Sequence, residues 1–321
     1  PTGGGKTEAY LCIISFLLFK SSFKSKQNSD PGTQVLIRYT LRLLTTQQFE
    51  RATALVLASE YIRKSTKLCD DNSKVFSIGL WIGEPSSPNW RKDALKLLEN
   101  EEIQTGDPRQ ITECPCCKSL LIWDLKPAEP IRPSCKNKEC KLYGDLSLYT
   151  VDEDIYNVRP SILLGTTDKF IRILKVPATN NLFFSETGRN PELILQDELH
   201  LISGPLGSIS GLFESAIDMI CSKKNPIKII GSTATIKNAS VQVKSLFDRD
   251  LIQFPPQGIS FNDSCFAVED ESKSGRLYIG VSTMCNSPKL ALSGIVAAAF
   301  HHAQSIYKEI EDDNPHKLQA E

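Results

Sequence analysis

Along the chain, short fully apolar runs alternate with longer stretches whose apolar residues return every three or four positions. Residues 34–39, 75–82, 161–165, 193–195 and 226–231 are of the first kind and predict buried strands. Residues 47–63 are of the second kind, with Phe49, Ala52, Leu55 and Val56 on one side of a helix. Glu8, Ala9, Tyr10 and Leu11 open an apolar run to about residue 20 that predicts a buried helix after a glycine loop. Residues 21–33, rich in Ser, Lys and Asn and closing on Asp30-Pro31-Gly32, predict a solvated loop. Residues 89–102 predict a charged surface helix, and residues 290–306 a long Ala-rich one. Strands alternating with helices imply an α/β fold with a parallel, doubly wound sheet.

Residues 111–150 break that pattern. They hold half the cysteines and Pro115, Pro127, Pro130 and Pro133, with little apolar periodicity, and predict a small inserted module. The predicted organisation is therefore a discontinuous α/β lobe over 1–110 and 151–238, an insertion over 111–150, and a connector with the start of a following region over 239–321. No internal repeat is present.

Composition narrows the function classes. The 37 Lys and Arg balance 38 Asp and Glu for a net charge of −1, which excludes a polybasic protein drawn to nucleic acid by bulk charge. Any nucleic-acid site must be a local patch. Ten cysteines in 321 residues fall well below the density of a secreted disulfide scaffold. The longest apolar run, 9–19, is shorter than the roughly 20 residues a bilayer requires, so no membrane partner is expected. The chain opens at Pro1 without Met and without a secretory signal, inside a motif, so its first residue reads as a cut end.

That motif is Pro1-Thr2-Gly3-Gly4-Gly5-Lys6-Thr7, the end of a Walker A phosphate loop. The glycines Gly3, Gly4 and Gly5 let backbone N–H groups close around phosphate oxygens, and the following helix points its positive end at them. Lys6 would reach the β- and γ-phosphates of ATP, and Thr7 would hold Mg²⁺. The first glycine position of G-x-x-x-x-G-K-T lies one residue before Pro1. Leu193-Ile194-Leu195-Gln196-Asp197-Glu198-Leu199-His200 is an apolar strand ending in two acids, as in Walker B. Asp197 would bind Mg²⁺, and Glu198 would orient and deprotonate the attacking water.

With these motifs the chain resembles superfamily two helicases. Gly5-Lys6-Thr7-Glu8, Asp-Glu-Leu-His at 197–200 and Gly231-Ser232-Thr233-Ala234-Thr235 follow in the family's order. Tyr39-Thr40-Leu41-Arg42-Leu43-Leu44 resembles the first strand-contacting motif, with Thr40 where proline is usual. Gly165-Thr166-Thr167-Asp168-Lys169-Phe170 resembles the second, with Asp168 at the usual proline or valine position. The resemblance implies a RecA-like P-loop NTPase lobe in which Arg42, Thr166 and Thr167 touch the nucleic-acid backbone. It also implies that His200, Ser232 and Thr235 link ATP to strand movement, His200 standing with Lys6, Asp197 and Glu198 in the catalytic set. Three longer stretches, 38–45 followed by 47–49, 197–206, and 254–256 followed by 275–281, are similar to the DrmA-like helicase subunits of the DISARM phage-defence system. That similarity implies a cytoplasmic ATP-dependent helicase or translocase working on DNA with other defence subunits. No Gln-x-x-Gly-Arg-x-x-Arg segment occurs before Glu321, and Arg276 lacks that context, so residues 1–321 alone are expected to turn over little ATP.

The inserted module has its own chemistry. Cys114 and Cys117 form a C-x₂-C pair, and Cys135 and Cys140 a C-x₄-C pair, which suits tetrahedral Zn²⁺ in preference to an iron–sulfur cluster. Cys116 is surplus, and Cys12, Cys69, Cys221, Cys265 and Cys285 read as apolar fillers. Reduced core cysteines or disulfides are the other readings. A zinc-bearing adaptor that uses the ATPase fold only as a nucleotide switch is the alternative function.

Overall fold

The computed structural model describes residues 5–24, 32–40, 42–66, 73–84, 86–100, 102–123, 129–171, 176–183, 191–221, 226–233, 238–254, 256, 272, 279–282 and 287–313. The chain divides into two compact units, Pro1–Ile252 and Gln253–Glu321.

In the first unit a six-stranded, wholly parallel sheet runs in the order β6-β2-β7-β1-β8-β9. Its strands are β1 (Val35–Tyr39), β2 (Ile78–Trp81), β6 (Leu148–Tyr149), β7 (Ile162–Thr166), β8 (Leu193–Gln196) and β9 (Lys228–Gly231). Helices α1 (Lys6–Lys24), α2 (Arg42–Thr66), α3 (Arg91–Leu98), α4 (Asp152–Val158), α5 (Thr167–Ile171), α6 (Asn180–Phe183), α7 (Gly204–Cys221) and α8 (Ala239–Phe247) accompany it. The short strands β3 (Ile122–Trp123), β4 (Pro133–Cys135) and β5 (Gly144–Asp145) form a separate antiparallel sheet within the cysteine module. In the second unit the helix α9 (Pro288–Asp313) is exposed along its described side chains apart from the half-buried Ala291.

Central strands of a parallel sheet are covered on both faces, so β1, β2, β7 and β8 are buried throughout. Alternation then sorts their side chains between two cores. Val35, Ile37, Ile78, Leu80, Ile162, Leu164, Leu193 and Leu195 share one core with Tyr10, Ile14 and Leu18 of α1 and Phe49, Ala52 and Val56 of α2. Leu36, Trp81, Leu163 and Ile194 share the other with Phe170, Phe213 and Ile217. The i, i+4, i+8 spacing of Tyr10, Ile14 and Leu18 places them on one face of α1. That packing carries α1 through Ser21 and Ser22, both buried, to Lys24, into the stretch expected to be a loop.

The expected strands and helices all form, with shifted ends. Helix α2 begins at Arg42, five residues before the apolar periodicity does, and α3 spans only part of 89–102. The module is joined to the lobe more closely than its composition suggests. Its residues Ile111, Leu121, Trp123 and Ile131 lie in the same core as β2, and β6 hydrogen-bonds alongside β2 as the outermost strand of the large sheet. Helix α8 packs on α7 inside the first compact unit, which runs to Ile252 and so past the expected start of a connector at 239.

Among the described residues, one buried strand residue is charged. Arg38 of β1 is fully buried, pairs with Glu214 of α7, and lies with its guanidinium carbon 5.3 Å and 5.4 Å from the ring centroids of Phe170 and Phe213. Burying an isolated guanidinium would cost far more than packing returns, so the carboxylate and two ring faces offset its charge. At Gly165 a β-carbon would sit 2.4 Å from the Trp81 carbonyl oxygen, so only glycine lets β7 approach β2 this closely.

Candidate nucleotide and metal sites

Parallel α/β sheets place their functional loops beyond the carboxyl ends of the strands. At that edge β1 ends in Tyr39, β7 in Thr166, β8 in Gln196 followed by Asp197 and Glu198, and β9 in Gly231 followed by Ser232 and Thr233. Helix α1 begins there too, after Gly5 at φ +71°, a left-handed turn that suits glycine. The Lys6 ammonium donates to the Thr233 carbonyl oxygen at 3.3 Å, joining segments 227 positions apart. Lys6 therefore meets the end of β9.

The acidic segment is tied down by its backbone. Asp197 N–H donates to the Arg38 carbonyl at 3.0 Å, Leu199 N–H to the Ser232 carbonyl at 3.0 Å, and Ser232 N–H to the Gln196 carbonyl at 2.8 Å. Glu198 N–H donates to Asp197 Oδ1 at 3.0 Å. Glu198 adopts φ 49° and ψ 45°, a left-handed conformation that costs a non-glycine residue about 1–3 kcal/mol. It turns the chain sharply, so that the half-exposed His200 places Nδ1 3.3 Å from Glu198 Oε2 and 3.1 Å from Thr233 Oγ1.

Two tyrosines lie beneath this edge. Tyr10 donates to Thr7 Oγ1 at 3.2 Å, and its hydroxyl is 3.1 Å from that of Tyr39. Burial, reinforced by the nearby Asp197 carboxylate, pushes both phenol pKa values up, so both stay protonated.

The structure thus brings Lys6, Thr7, Asp197, Glu198 and His200 to one edge. Gly5 is described there; Gly3, Gly4 and Thr235 lie outside the described residues, as does the side chain of Arg42 at the start of α2. Thr166 is fully buried with Oγ1 unpartnered, and Thr167 donates its hydroxyl to the Tyr39 carbonyl at 3.3 Å, so both hydroxyls point inward. Ser232 Oγ is buried and unpartnered, while Thr233, which the sequence reading passed over, makes the contact to His200. The signal for Thr233 was its place inside the Ser-Thr-Ala-Thr run. Tyr39 heads a strand-contacting motif in the sequence, but no local signal marked its meeting with Tyr10, which depends on packing α1 against β1.

In the module, the four sulfurs of Cys114, Cys117, Cys135 and Cys140 lie within 4.8 Å of one another. Cys114 and Cys140 Sγ are 3.8 Å apart, and Cys117 and Cys135 Sγ 3.7 Å. A tetrahedron with zinc–sulfur bonds of about 2.3 Å has sulfur–sulfur edges of about 3.8 Å, so the set fits Zn²⁺. The first knuckle closes with Cys114 N–H to the Ser119 carbonyl at 2.8 Å and Lys118 N–H to the Cys114 carbonyl at 2.9 Å, Lys118 taking φ 59°. Burial pushes the Cys135 thiol up to about 12, whereas hydrogen bonds from Ser119 bring Cys117 down to about 6. Cys116 is exposed and outside the cluster.

The module connects to the lobe through the acidic first turn of α4. Asp152 pairs with Lys169, Glu153 accepts from the Arg91 backbone N–H at 2.9 Å, and Asp154 accepts from the Arg91 side chain and from Ile131 N–H at 2.9 Å. Among the described residues no helix is long and apolar enough to cross a membrane.

No family model matches the chain. Among solved structures it resembles the DUF1998 helicase MrfA bound to DNA, with a TM-score of 0.42 and 15% identity over 78% of this chain and 23% of that one. It also resembles Mss116p bound to ssRNA and AMP-PNP, with a TM-score of 0.44 and 14% identity over 76% of this chain and 33% of that one. For the Lhr helicase of Mycobacterium smegmatis bound to ssDNA and AMP-PNP, the figures are 0.43 and 16%, over 78% and 22%. In sequence it is 36% identical over 373 residues to the DISARM protein DrmA of Bacillus paralicheniformis, covering 97% of this chain and 33% of that protein. The chain therefore spans about a third of the relative it matches. In fold it is an α/β lobe with a six-stranded parallel sheet and a four-cysteine module, and in sequence it is similar to the DISARM protein DrmA.

Proposed function

We propose that this chain is the ATP-binding lobe of a nucleic-acid-dependent ATPase, a helicase or translocase acting on DNA in phage defence. The observation that carries the reading is the meeting of Lys6 with the Thr233 carbonyl beside Glu198 and His200, which assembles three motifs distant in sequence at one sheet edge.

ATP with Mg²⁺ supplies the phosphoanhydride bond whose hydrolysis drives movement. Lys6 and the backbone of Gly3, Gly4 and Gly5 would hold its phosphates, and Thr7 and Asp197 would hold the metal. Glu198, at the left-handed turn after β8, would accept a proton from the attacking water. His200 bridges Glu198 and Thr233, so it would link the nucleotide site to the end of β9. By resemblance, Arg42 and the backbone of the Thr166-Thr167 turn would contact the strand, the two threonine hydroxyls being turned inward. Cys114, Cys117, Cys135 and Cys140 would hold Zn²⁺, which would cross-link a segment too short to build its own core. The similarity to DrmA supports placement beside other defence subunits.

The test is ATP hydrolysis by the intact protein with and without single-stranded DNA. Stimulation by DNA that disappears with Lys6→Ala is expected. Hydrolysis unaffected by Lys6→Ala, or nucleotide binding without turnover under any nucleic acid, favours the adaptor instead.

A further inference from the structure

Tyr10 follows Thr7 by three residues on α1, so the two side chains share a helix face and the phenol folds back onto Thr7 Oγ1. Its other neighbour is the Tyr39 hydroxyl, at the last position of β1. Both side chains are buried, Tyr10 to 5% and Tyr39 to 2% exposure. Phenylalanine would fill this core equally well without two hydroxyls to desolvate, so the hydroxyls are explained by what they hold. Each phenol has one proton. Because Tyr10 gives its proton to Thr7, Tyr39 must give its own to Tyr10, and the chain of bonds has one direction. Thr7 Oγ1 then keeps one lone pair for a cation and its own proton for a carboxylate such as Asp197.

The far end of this chain is anchored where strand contact is proposed. The Tyr39 carbonyl accepts from Thr167 Oγ1 at 3.3 Å, and the preceding Arg38 carbonyl accepts from the Asp197 N–H at 3.0 Å. Thr7, Tyr10 and the Tyr39 hydroxyl thus form one hydrogen-bonded run, and Tyr39 itself carries it to its backbone carbonyl, where Thr167 is bonded and to whose strand end Asp197 is tied.

We propose that Tyr10 and Tyr39 are a positioning pair that transmits occupation of the Thr7–Asp197 metal site to the nucleic-acid-contacting ends of β1 and β7. This rests on the ATPase reading above. A cation drawing Thr7 Oγ1 toward itself pulls on Tyr10 and Tyr39, and so on the backbone that holds Thr167. The coupling is reciprocal, as any linkage between two binding sites must be. Strand binding therefore tightens metal–nucleotide binding by the same factor.

The experiment uses the intact protein, Tyr10→Phe, Tyr39→Phe and the double variant, each checked for an unchanged thermal melt. Two quantities are read: Mn²⁺ affinity with AMP-PNP by electron paramagnetic resonance, and affinity for a fluorescent single-stranded oligonucleotide with and without Mg²⁺–AMP-PNP. The wild type is expected to bind the oligonucleotide at least about 5-fold more tightly with nucleotide, the usual lower range of such couplings. Either single variant should bring that ratio close to one, and the double variant should be no worse than a single one. Tyr10→Phe alone should also weaken Mn²⁺ binding several-fold, since it alone touches Thr7. Wild-type coupling that survives in both single variants overturns the pair while leaving the ATPase reading intact. Absence of Mn²⁺–nucleotide binding in the wild type overturns both.

Discussion

Lys169 Nζ of α5 lies 2.5 Å from Asp152 Oδ2 at the start of α4, binding the exit of the cysteine module to the helix behind the Gly165-Thr166-Thr167 turn. The pair is buried, with the Lys169 ammonium also 5.8 Å from the Trp81 ring and 3.3 Å from Asn89 Oδ1. Tyr156 donates to the same Asp152 oxygen at 3.3 Å and accepts from Trp81 Nε1 at 3.1 Å. Removing one partner leaves a charge in a low-dielectric site, at a cost of about 3–5 kcal/mol. Lys169→Met should therefore destabilise the lobe by about that amount in denaturant melts. The double change Lys169→Met, Asp152→Leu should recover much of the loss. Equal destabilisation by the single and double variants would contradict an electrostatic origin.

The buried Arg38–Glu214 pair gives a second expectation. Arg38 is held by a carboxylate and lies near two ring faces, an arrangement that suits a planar guanidinium and not a compact ammonium. Arg38→Lys should cost nearly as much as Arg38→Met, about 3 kcal/mol or more, despite keeping the charge. A melt of Arg38→Lys within about 0.5 kcal/mol of wild type would show that the rings contribute little.

The four-cysteine cluster should hold about one zinc per chain, measured by elemental analysis of the purified protein. Cys135→Ser should abolish that zinc, whereas Cys116→Ser, outside the cluster, should leave it unchanged. Because the module shares a core with β2, a chelator should also lower the melting temperature of the lobe. Zinc retained by Cys135→Ser would contradict the site.

Thr233 is expected to carry coupling between the nucleotide and strand sites. Thr233→Val removes the hydroxyl that meets His200 Nδ1 while keeping its shape. ATP binding should persist and DNA stimulation of hydrolysis should fall by about tenfold, the scale of one lost hydrogen bond to a charged or buried partner. Ordinary stimulation in that variant would move the coupling role elsewhere, for example to Ser232.

Much of this was legible in the sequence because it is local. Apolar runs of the right length marked β1, β7, β8 and β9, and the helical spacing of Phe49, Ala52 and Val56 marked α2. Lys6, Asp197 and Glu198 stood out because a phosphate loop and an acidic strand end are short patterns with fixed spacing. The four sulfurs converge as the two cysteine pairs predicted. What was not legible depends on distant partners. Arg38 in an apolar run gives no hint of Glu214, 176 positions away, nor Asp152 of Lys169. The extra turn of α1 over Ser21 and Ser22 follows from packing that no propensity scale contains. The cysteine module looked separable by composition, yet two of its residues complete the large sheet as β6.

The most direct measurement is ATP turnover by the intact protein carrying Glu198→Gln, with nucleotide affinity determined on the same sample. The substitution keeps the size of the side chain and removes the proton acceptor at the end of β8. Hydrolysis should fall at least about 100-fold, the lower range for a general base, while ATP affinity stays within a few-fold of wild type. Undiminished turnover in that variant would contradict the assignment of Glu198, and with it the ATPase site built around Lys6, Thr7 and Asp197.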